Sequence, residues 1–440
     1  MMGNPEFRRN LWLELSTHRL VAMPAVLLVI VLAVNTLMGG SGGRAVAATV
    51  VWVMVVIAWL WGTKRAADSV NEELRGRTWD LQRLSALSPW DMMAGKLFGA
   101  TAFTWYGALI CIAILLAATP FEMLPQAVRT ALIVIAGGIA LQGAAMAASL
   151  QLVQKDGTAS PRLGLLLVVA IVMMGGVPTG LVSPEQGRSI AWFSQPIPMH
   201  DFMLGSALAF AAWGVFAAWR MMGRALLVRT VPWATAAFGV FLAVYFAGLV
   251  PYGAPDAPTP LVAIVAIGVP VSLGMFYILL FSEPTGAMTV RRLLLRARAA
   301  QWPRALQELP AWPVALAMLA LLSLAGAALF EDLMRVLEKT FPGAPLLPLA
   351  LTAMAVRDAA IFLFFSFAPR PRRVELTTLL YLVLLDWLVP ALLKGFGMAF
   401  LAGLVMPLVA GEGARALLVM GAQAAVAVAL ALWRWRRHYG

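Results

Sequence analysis

The apolar stretch AVAATVVWVMVVIAWLWG, residues 45–62, runs directly into the charged segment TKRAADSVNEELRGRTWDLQRLSALSPWDMMAGK, residues 63–96. We call residues 63–96 the island, because a second apolar run, residues 97–118, follows it. An apolar run of about 18 residues or more can cross a bilayer as a helix, since a helix satisfies its own backbone hydrogen bonds. This order predicts two membrane spans joined by a polar segment outside the membrane.

The rest of the chain repeats this alternation of apolar runs and short polar segments. Of its 440 residues, 61% are hydrophobic and 12% are charged, against about 25% charged residues in soluble proteins. We predict an all-α polytopic membrane protein with twelve spans, at residues 20–38, 45–62, 97–118, 128–153, 163–182, 201–219, 233–250, 260–281, 313–330, 346–367, 376–393 and 414–433. The first run follows an arginine-bearing segment and lacks a clear cleavage site, so we expect it to be retained as a span.

Basic residues are concentrated in alternate connections between the predicted spans. Short loops rich in lysine and arginine stay on the cytoplasmic side, and a cytoplasmic N-terminus places 25 of the 33 basic residues on that side. We therefore predict a bacterial inner-membrane protein with both termini in the cytoplasm. The formal charge of +12 is spread over seven cytoplasmic segments and follows from this bias, which argues against nucleic-acid binding.

Residues 1–230 and 231–440 show the same order of parts. Each half has two spans, a long basic connection (63–96 or 283–312), two spans, a short basic loop, a span, an outer stretch and a last span. This order predicts two tandem six-helix halves, although the halves share little residue identity. The outer stretch 394–410 is apolar but broken by glycine and proline, so we expect a re-entrant or interfacial helical element there.

The island contains two helix signals. Its first part predicts a helix on the membrane surface or in the groove of a partner, because one face carries Leu74, Thr78, Leu81 and Leu84 or Ser85. Its second part, Ser88-Pro89-Trp90-Asp91, has the pattern of a capping box with proline at the first helical position. We expect a new helix to begin there and to lead into the third span.

The segment before the first span has the pattern of an interfacial helix. Asn4 is a predicted helix cap, Pro5 fits the first turn, and an apolar stripe follows at Phe7, Leu11 and Leu15. The same residues are compatible with an ordinary anchor on the membrane surface.

The island resembles the permease subunits of type-two ATP-binding-cassette exporters. In that family, an acidic residue after the second span precedes a spaced pattern of glycine, threonine, glutamate, leucine, serine-proline and glycine-lysine. The matching residues here are Glu72, Glu73, Gly76, Thr78, Asp80, Leu81, Leu84, Leu87, Ser88, Pro89, Gly95 and Lys96. The departures are Arg77 between glycine and threonine, Asp80 in place of glutamate, and Ala86 where proline is common. The N-terminal segment looks like the connecting helix of these permeases.

The resemblance implies that ATP is hydrolysed in a separate cytoplasmic ATP-binding-cassette ATPase dimer, which binds ATP and magnesium. This chain has no G-x-x-x-x-G-K-[ST] loop, so we expect no cofactor and no enzymatic activity in it. The residues expected at the ATPase contact are Glu72, Glu73, Arg75, Arg77, Thr78, Asp80, Leu81, Arg83 and Leu84. The corresponding segment 283–312 does not reproduce the motif, and is either a degenerate second contact or a basic loop near anionic lipid.

Three ionisable residues fall at a similar depth inside predicted spans: Arg357, Asp358 and Asp386. Charges at this depth are costly and are usually paired or functional. They are compatible with a structural ion pair between two antiparallel spans, or with a polar patch on a substrate path or ion relay. We predict no metal site, because the three histidines, His18, His200 and His438, are scattered along the chain.

Two other functions remain open. An ion-coupled secondary transporter would use Asp358 and Asp386, and would have no need of the island. A membrane enzyme acting on lipid-linked substrates would need clustered polar groups, and the outer loops offer only the scattered acids Glu122, Asp256, Glu331, Asp332 and Glu412. Apolar spans do not specify a substrate, so lipids, hydrophobic peptides and drugs all remain open.

Overall fold

The computed structural model describes residues 3–37, 43–76, 78–85, 87–153, 188–228, 230–252, 257–283, 285–329, 346–369, 373–407 and 413–439. Several predicted features lie outside these ranges: the span 163–182, the short basic loop of the first half (residues 154–162), Arg77, Ala86, Asp256, Glu331, Asp332 and Glu412.

The chain forms two compact units that meet in sequence after Thr230. Unit 1 comprises residues 1–190 and 197–230, and unit 2 comprises residues 191–196 and 231–440. This division falls where the two predicted halves meet. The six-span content of each half stays a prediction.

Unit 1 consists of long apolar helices and short surface helices. They are α1 (Pro5–Glu14), α2 (Thr17–Leu37), α3 (Gly43–Val55), α4 (Gly62–Arg75), α5 (Trp79–Arg83), α6 (Pro89–Gly99), α7 (Ala102–Ala118), α8 (Leu124–Val153) and α9 (Met199–Ala225). A π-helical turn, Val56–Trp61, joins α3 to α4, and a 3-10 turn, Phe121–Met123, precedes α8. Helices α8 and α9 approach closely, because a Cβ atom on Gly143 would lie 2.5 Å from the backbone of Gly214.

Unit 2 also consists of long apolar helices and shorter helices between them. Its helices are α10 (Trp233–Ala247), α11 (Pro260–Ser282), α12 (Ala287–Arg298), α13 (Trp302–Glu308), α14 (Trp312–Ala328), α15 (Leu347–Ser366), α16 (Val374–Val383), α17 (Val389–Gly395), α18 (Ala399–Val405) and α19 (Gly413–Tyr439). A π-helical turn, Leu384–Leu388, joins α16 to α17. After α17, Gly397 adopts a φ of 76° and the chain turns into α18, so a short helix occupies part of the predicted re-entrant stretch.

A two-stranded hairpin, which the sequence did not predict, precedes α9. Its strands are β1 (Ser189–Trp192) and β2 (Gln195–Pro198). The turn residues Phe193 and Ser194 have positive φ angles of 48° and 63°, as a two-residue hairpin turn requires. The tip is held in unit 2, since the backbone N–H of Phe193 donates to the carbonyl of Gly248 at 2.8 Å.

Eight helices within the described ranges are long and apolar enough to cross a membrane. They are Thr17–Leu37, Ala45–Arg75, Phe121–Gln151, Met199–Ala225, Pro260–Ser282, Leu347–Ser366, Val374–Gly395 and Ala414–Tyr439. The number rises to ten if two bent pairs each count as one span: α6 with α7, bent by 53°, and α13 with α14, bent by 98°. Helix α10 is apolar but shorter. The described residues are thus consistent with an all-α polytopic membrane protein with eight to ten candidate spans. Of the twelve predicted spans, 163–182 lies outside the described residues and 233–250 corresponds to the shorter helix α10, so the number twelve stays a prediction.

Candidate functional site

The island forms three consecutive helical pieces. Helix α4 ends at Arg75, where the N–H of Gly76 donates to the carbonyl of Glu72 at 2.9 Å. Helix α5 follows as a separate helix of five residues, and α6 begins at Pro89. The single helical face predicted from Leu74 to Ser85 is therefore wrong, because the first helix ends at Arg75 before the face is complete.

Helix α5 has one buried residue and an exposed outer surface. Trp79 is 4% exposed and belongs to the apolar cluster that contains Met92, Met93 and other residues of α6. Leu81 and Leu84 are 69% and 83% exposed. A short helix is thus fixed by its tryptophan while two leucines stay uncovered, although such side chains gain free energy from burial.

Charged side chains flank these leucines. Asp80 is exposed and accepts a contact from Arg83 Nη1 at 3.4 Å. The Arg83 Nε donates to the carbonyl of Ala225 at 3.0 Å, at the C-terminal end of α9. The guanidinium therefore satisfies a carbonyl that the end of α9 leaves free, and also ties α5 to that helix.

The start of α6 is capped as the sequence predicts. The Ser88 side chain accepts from the backbone N–H of Asp91 at 3.1 Å, which confirms the cap. The reciprocal contact differs from a capping box, because the Ser88 hydroxyl donates to the Asp91 carboxylate at 2.6 Å.

Helix α1 lies against α6. The predicted cap at Asn4 is confirmed, since its side-chain oxygen accepts from Glu6 N at 2.9 Å, and its amide also donates to the Asp91 carbonyl at 2.6 Å. Gly95 of α6 allows the contact: a Cβ atom there would lie 2.8 Å from Glu6 Cβ. Gly99, one turn later, faces Asn10 at the same distance. These glycines let the two backbones come together.

A buried ion cluster joins α1, α4, α5 and α6, and we call it the Lys96 network. Its members are Glu6, Arg9, Glu73, Gln82 and Lys96. Lys96 is 1% exposed, and its ammonium lies 2.9 Å from Glu6 Oε1 and 2.5 Å from Glu73 Oε1. Arg9 contacts Glu73 at 2.8 Å, and the Gln82 amide donates to the same carboxylate. Two carboxylates face two cations, of which Lys96 is buried and Arg9 is half-exposed, so each carboxylate has a cationic partner.

A second set of ion pairs fastens the other end of α1 to α4. Arg65 contacts both Glu14 and Glu72, the latter at 3.2 Å, and Arg19 contacts Glu14 at 2.9 Å. Helix α1 is thus held at both ends to the helices that flank α5.

The residues predicted at the ATPase contact occupy different environments. Those on the exposed surface are Glu72, Arg75, Thr78, Asp80, Leu81, Arg83 and Leu84. Glu73 is buried in the Lys96 network, and Arg77 lies outside the described residues. The roles of Glu6, Arg9 and Gln82 were not predicted from the sequence, where the signal was an acidic and a basic residue three positions apart on α1.

The candidate spans of unit 2 contain a cluster of polar side chains, the Arg357 network, whose members are Tyr277, Arg357, Asp358, Asp386 and Gln423. Arg357 is 1% exposed. Its guanidinium contacts Asp386 at 2.7 and 2.9 Å, Asp358 at 2.8 Å and the Gln423 carbonyl oxygen at 2.8 Å. The Tyr277 hydroxyl donates to Asp358. The three charged residues singled out in the sequence therefore meet, and Tyr277 and Gln423 complete the cluster.

The Arg357 network carries an imbalance of charge. One guanidinium faces two carboxylates, so an excess negative charge is present when both acids are ionised. Asp386 lies in the π-helical turn Leu384–Leu388, and its side chain is 23% exposed. Turns of this kind are frequent at functional sites. The Gln423 amide also donates to the carbonyls of Leu404 and Val405, so these two carbonyl groups at the C-terminal end of α18 have hydrogen-bond partners.

Apart from the two networks and α5, a functional site among the described residues could consist of metal ligands or of a cavity. Among the residues that the structure describes, no group of three or more His, Cys, Asp or Glu side chains could hold a metal ion. An open depression of about 550 Å³ in unit 1 has an apolar lining that includes Trp90, Phe98, Phe216 and Trp219. The residues that line this depression are apolar or aromatic, so it could hold an apolar group but has no acid, base or nucleophile in its lining.

Comparisons with protein families, with curated proteins and with solved structures find no match to this chain.

Proposed function

We propose that this chain is the transmembrane permease of an ATP-binding-cassette exporter, in which a separate ATPase dimer drives outward movement of a substrate. The observation that carries the proposal is α5: a short helix outside the spans exposes Leu81 and Leu84 beside Asp80, while Trp79 fixes it to the third helix of the island. Exposed leucines flanked by charge are typical of a surface that a protein partner covers.

The contacts of α5 with α4 and α6 would transmit a movement of the ATPase to the membrane spans. The Gln82 amide on α5 donates to Glu73 at the end of α4, and Glu73 contacts Lys96 on α6. Helix α4 continues the second span, and α6 leads into the third. A displacement of α5 would therefore move both spans together rather than deform a loop.

Leu81→Asp combined with Leu84→Asp tests this proposal. We expect the unmodified chain to co-purify with a phosphate-loop ATPase and the double variant to lose it, because two charges would replace the exposed apolar contact. The ATPase activity of the complex should then no longer respond to the permease. Phe121→Asp is the control, since Phe121 is 87% exposed in the turn after α7, at the end of α7 that lies away from the island. Retained binding in the double variant would refute the proposal, as would equal loss in the control.

In the proposed exporter, the two units supply the two halves of the pathway, each with six spans, and both termini face the cytoplasm. One chain would then form a pathway that otherwise requires a dimer of permeases with six spans each. The proposed location is the bacterial inner membrane, which the placement of basic residues supports.

An ion-coupled secondary transporter is the second candidate, and the Arg357 network favours it. Its two carboxylates and one guanidinium would accept a proton or a small cation at mid-depth. A transport assay with and without a collapsed proton gradient separates the candidates. Transport that needs the gradient but no ATPase would favour the secondary transporter over the exporter.

A further inference from the structure

Helices α12 and α13 form a structured unit, the basic hairpin, between the candidate span α11 and helix α14. Its base is closed by Glu283, which is buried and accepts from Ala311 N at 2.5 Å and Trp312 N at 3.3 Å. A further contact joins it to α15, where the Ser366 hydroxyl donates to the carbonyl of Thr285 at 2.7 Å. The hairpin therefore begins and ends where apolar helices end, which places it at the edge of the hydrocarbon zone.

The two helices of the basic hairpin are tied to each other. Arg296 on α12 contacts Glu308 on α13 at 2.5 Å and also donates to the carbonyl of Arg304 at 3.4 Å. Ala305 is buried beneath them. Because this pair uses the only acidic residue between residues 287 and 308, no other carboxylate within the hairpin is available to its remaining arginines.

The outer surface of the hairpin combines positive charge with apolar side chains. The exposed arginines are Arg291, Arg292, Arg298 and Arg304. The exposed apolar residues beside them include Met288, Leu295 and Trp302, which are 63%, 54% and 60% exposed. Arginine, leucine and tryptophan share one surface in helices that lie in the membrane interface, since the apolar groups enter the acyl boundary while the guanidinium groups reach phosphate.

We propose that the basic hairpin binds the phosphate headgroups of anionic phospholipids in the leaflet it faces. Charge complementarity favours lipid over an ATPase surface. The hairpin has five arginines and one acid, whereas the island, the proposed docking element, has six basic and five acidic residues. The hairpin also lies directly at the ends of apolar helices and lacks the island's motif. This inference holds whether the chain is an exporter or a secondary transporter.

Bromolipid quenching tests the proposal with the full chain. Met288→Cys is made in a Cys111→Ser background, because Cys111 is the only native cysteine, and it is labelled with an environment-sensitive fluorophore. The protein is reconstituted in phosphatidylcholine vesicles that contain brominated phosphatidylglycerol or brominated phosphatidylcholine at equal mole fraction. We expect stronger quenching by brominated phosphatidylglycerol, and a preference that falls as salt is added.

The triple variant Arg291→Gln, Arg292→Gln and Arg298→Gln should bring the preference for phosphatidylglycerol close to that for phosphatidylcholine. Each arginine near an anionic surface contributes roughly a five-fold preference at low salt. The matched control changes the same three residues to lysine, which keeps the charge, and it should retain most of the preference. Equal quenching by both lipids in the unmodified hairpin would overturn the proposal. A label that only a water-soluble quencher reaches would also overturn it, and would assign the surface to a protein partner.

Discussion

Lys96 is a charged side chain in an almost fully buried position. Its ammonium contacts the carboxylates of Glu6 and Glu73. These residues precede Lys96 in the chain by 90 and 23 positions and lie on two other helices. Removing one partner of a buried ion cluster leaves uncompensated charge in a medium of low polarity. The burial of the Lys96 charge is therefore stable only while both carboxylate partners are present.

Lys96→Met should lower the free energy of unfolding by about 3–5 kcal/mol, because two carboxylates would stay buried with only Arg9 to balance them. Thermal unfolding in detergent measures the change. Lys64→Met is the matched control: Lys64 is an exposed lysine that lies 3.8 Å from Asp68, and its loss should change stability by less than about 1 kcal/mol. Similar melting temperatures for the two variants would contradict the buried role of Lys96.

Arg357 and Asp386 should differ in their contributions to stability. Arg357→Met leaves two carboxylates facing each other inside the membrane, whereas Asp386→Asn leaves Arg357 paired with Asp358 and bonded to Gln423. We expect the arginine variant to melt at a clearly lower temperature than the asparagine variant. If Asp386→Asn keeps normal stability but loses transport, the network takes part in transport; equal loss of stability in both variants would favour a purely structural ion pair.

Two glycines on α6 let helix α1 approach closely enough for the ion pairs at its two ends to form. A side chain at Gly95 would meet both Glu6 Cβ and Phe7 N at 2.8 Å, and contacts that short force one helix to move. An interfacial helix would otherwise lie on lipid alone. The N-terminal helix is therefore an integral part of the island's support.

Gly95→Val should displace α1 and expose its backbone. Hydrogen exchange of the peptide that covers Pro5–Glu14 measures the effect, and we expect exchange at least about ten-fold faster, as for the loss of a packing contact worth roughly 1.4 kcal/mol. Gly205→Ala is the control, because nothing lies within 4 Å of its added Cβ. Unchanged protection of α1 in the valine variant would show that the glycine contact does not hold it.

Across the whole molecule, the distribution of basic residues predicts one topology that labelling can test. In the Cys111→Ser background, we expect Leu81→Cys and Tyr439→Cys to react with an impermeant maleimide only after the membrane is permeabilised. Phe121→Cys should react in intact cells, since Phe121 is exposed in the predicted outer turn between α7 and α8. Reaction of Tyr439→Cys from the outside, with Leu81→Cys still protected, would place the C-terminus on the opposite side from the island and contradict the predicted C-terminus.

Local and periodic features of this protein were predictable from its sequence. Hydropathy located the apolar helices, because the bilayer demands long uninterrupted apolar runs with satisfied backbones. The caps at Asn4 and Ser88 were predictable for a similar reason, since a cap depends on a side chain and the two or three residues after it. The helical face across Leu74–Ser85 was not, because periodicity alone does not show that Gly76 ends the helix.

The sequence by itself determined that the chain is helical, apolar and interrupted by one motif-bearing island. Only the tertiary structure joined Glu6 to Lys96, Tyr277 to Asp358 and Arg357 to Gln423. Those pairs are far apart in the chain, or depend on how helices are rotated against one another, and no local pattern encodes either. The physical reason is that a buried charge is tolerated only where several helices deliver partners to one point.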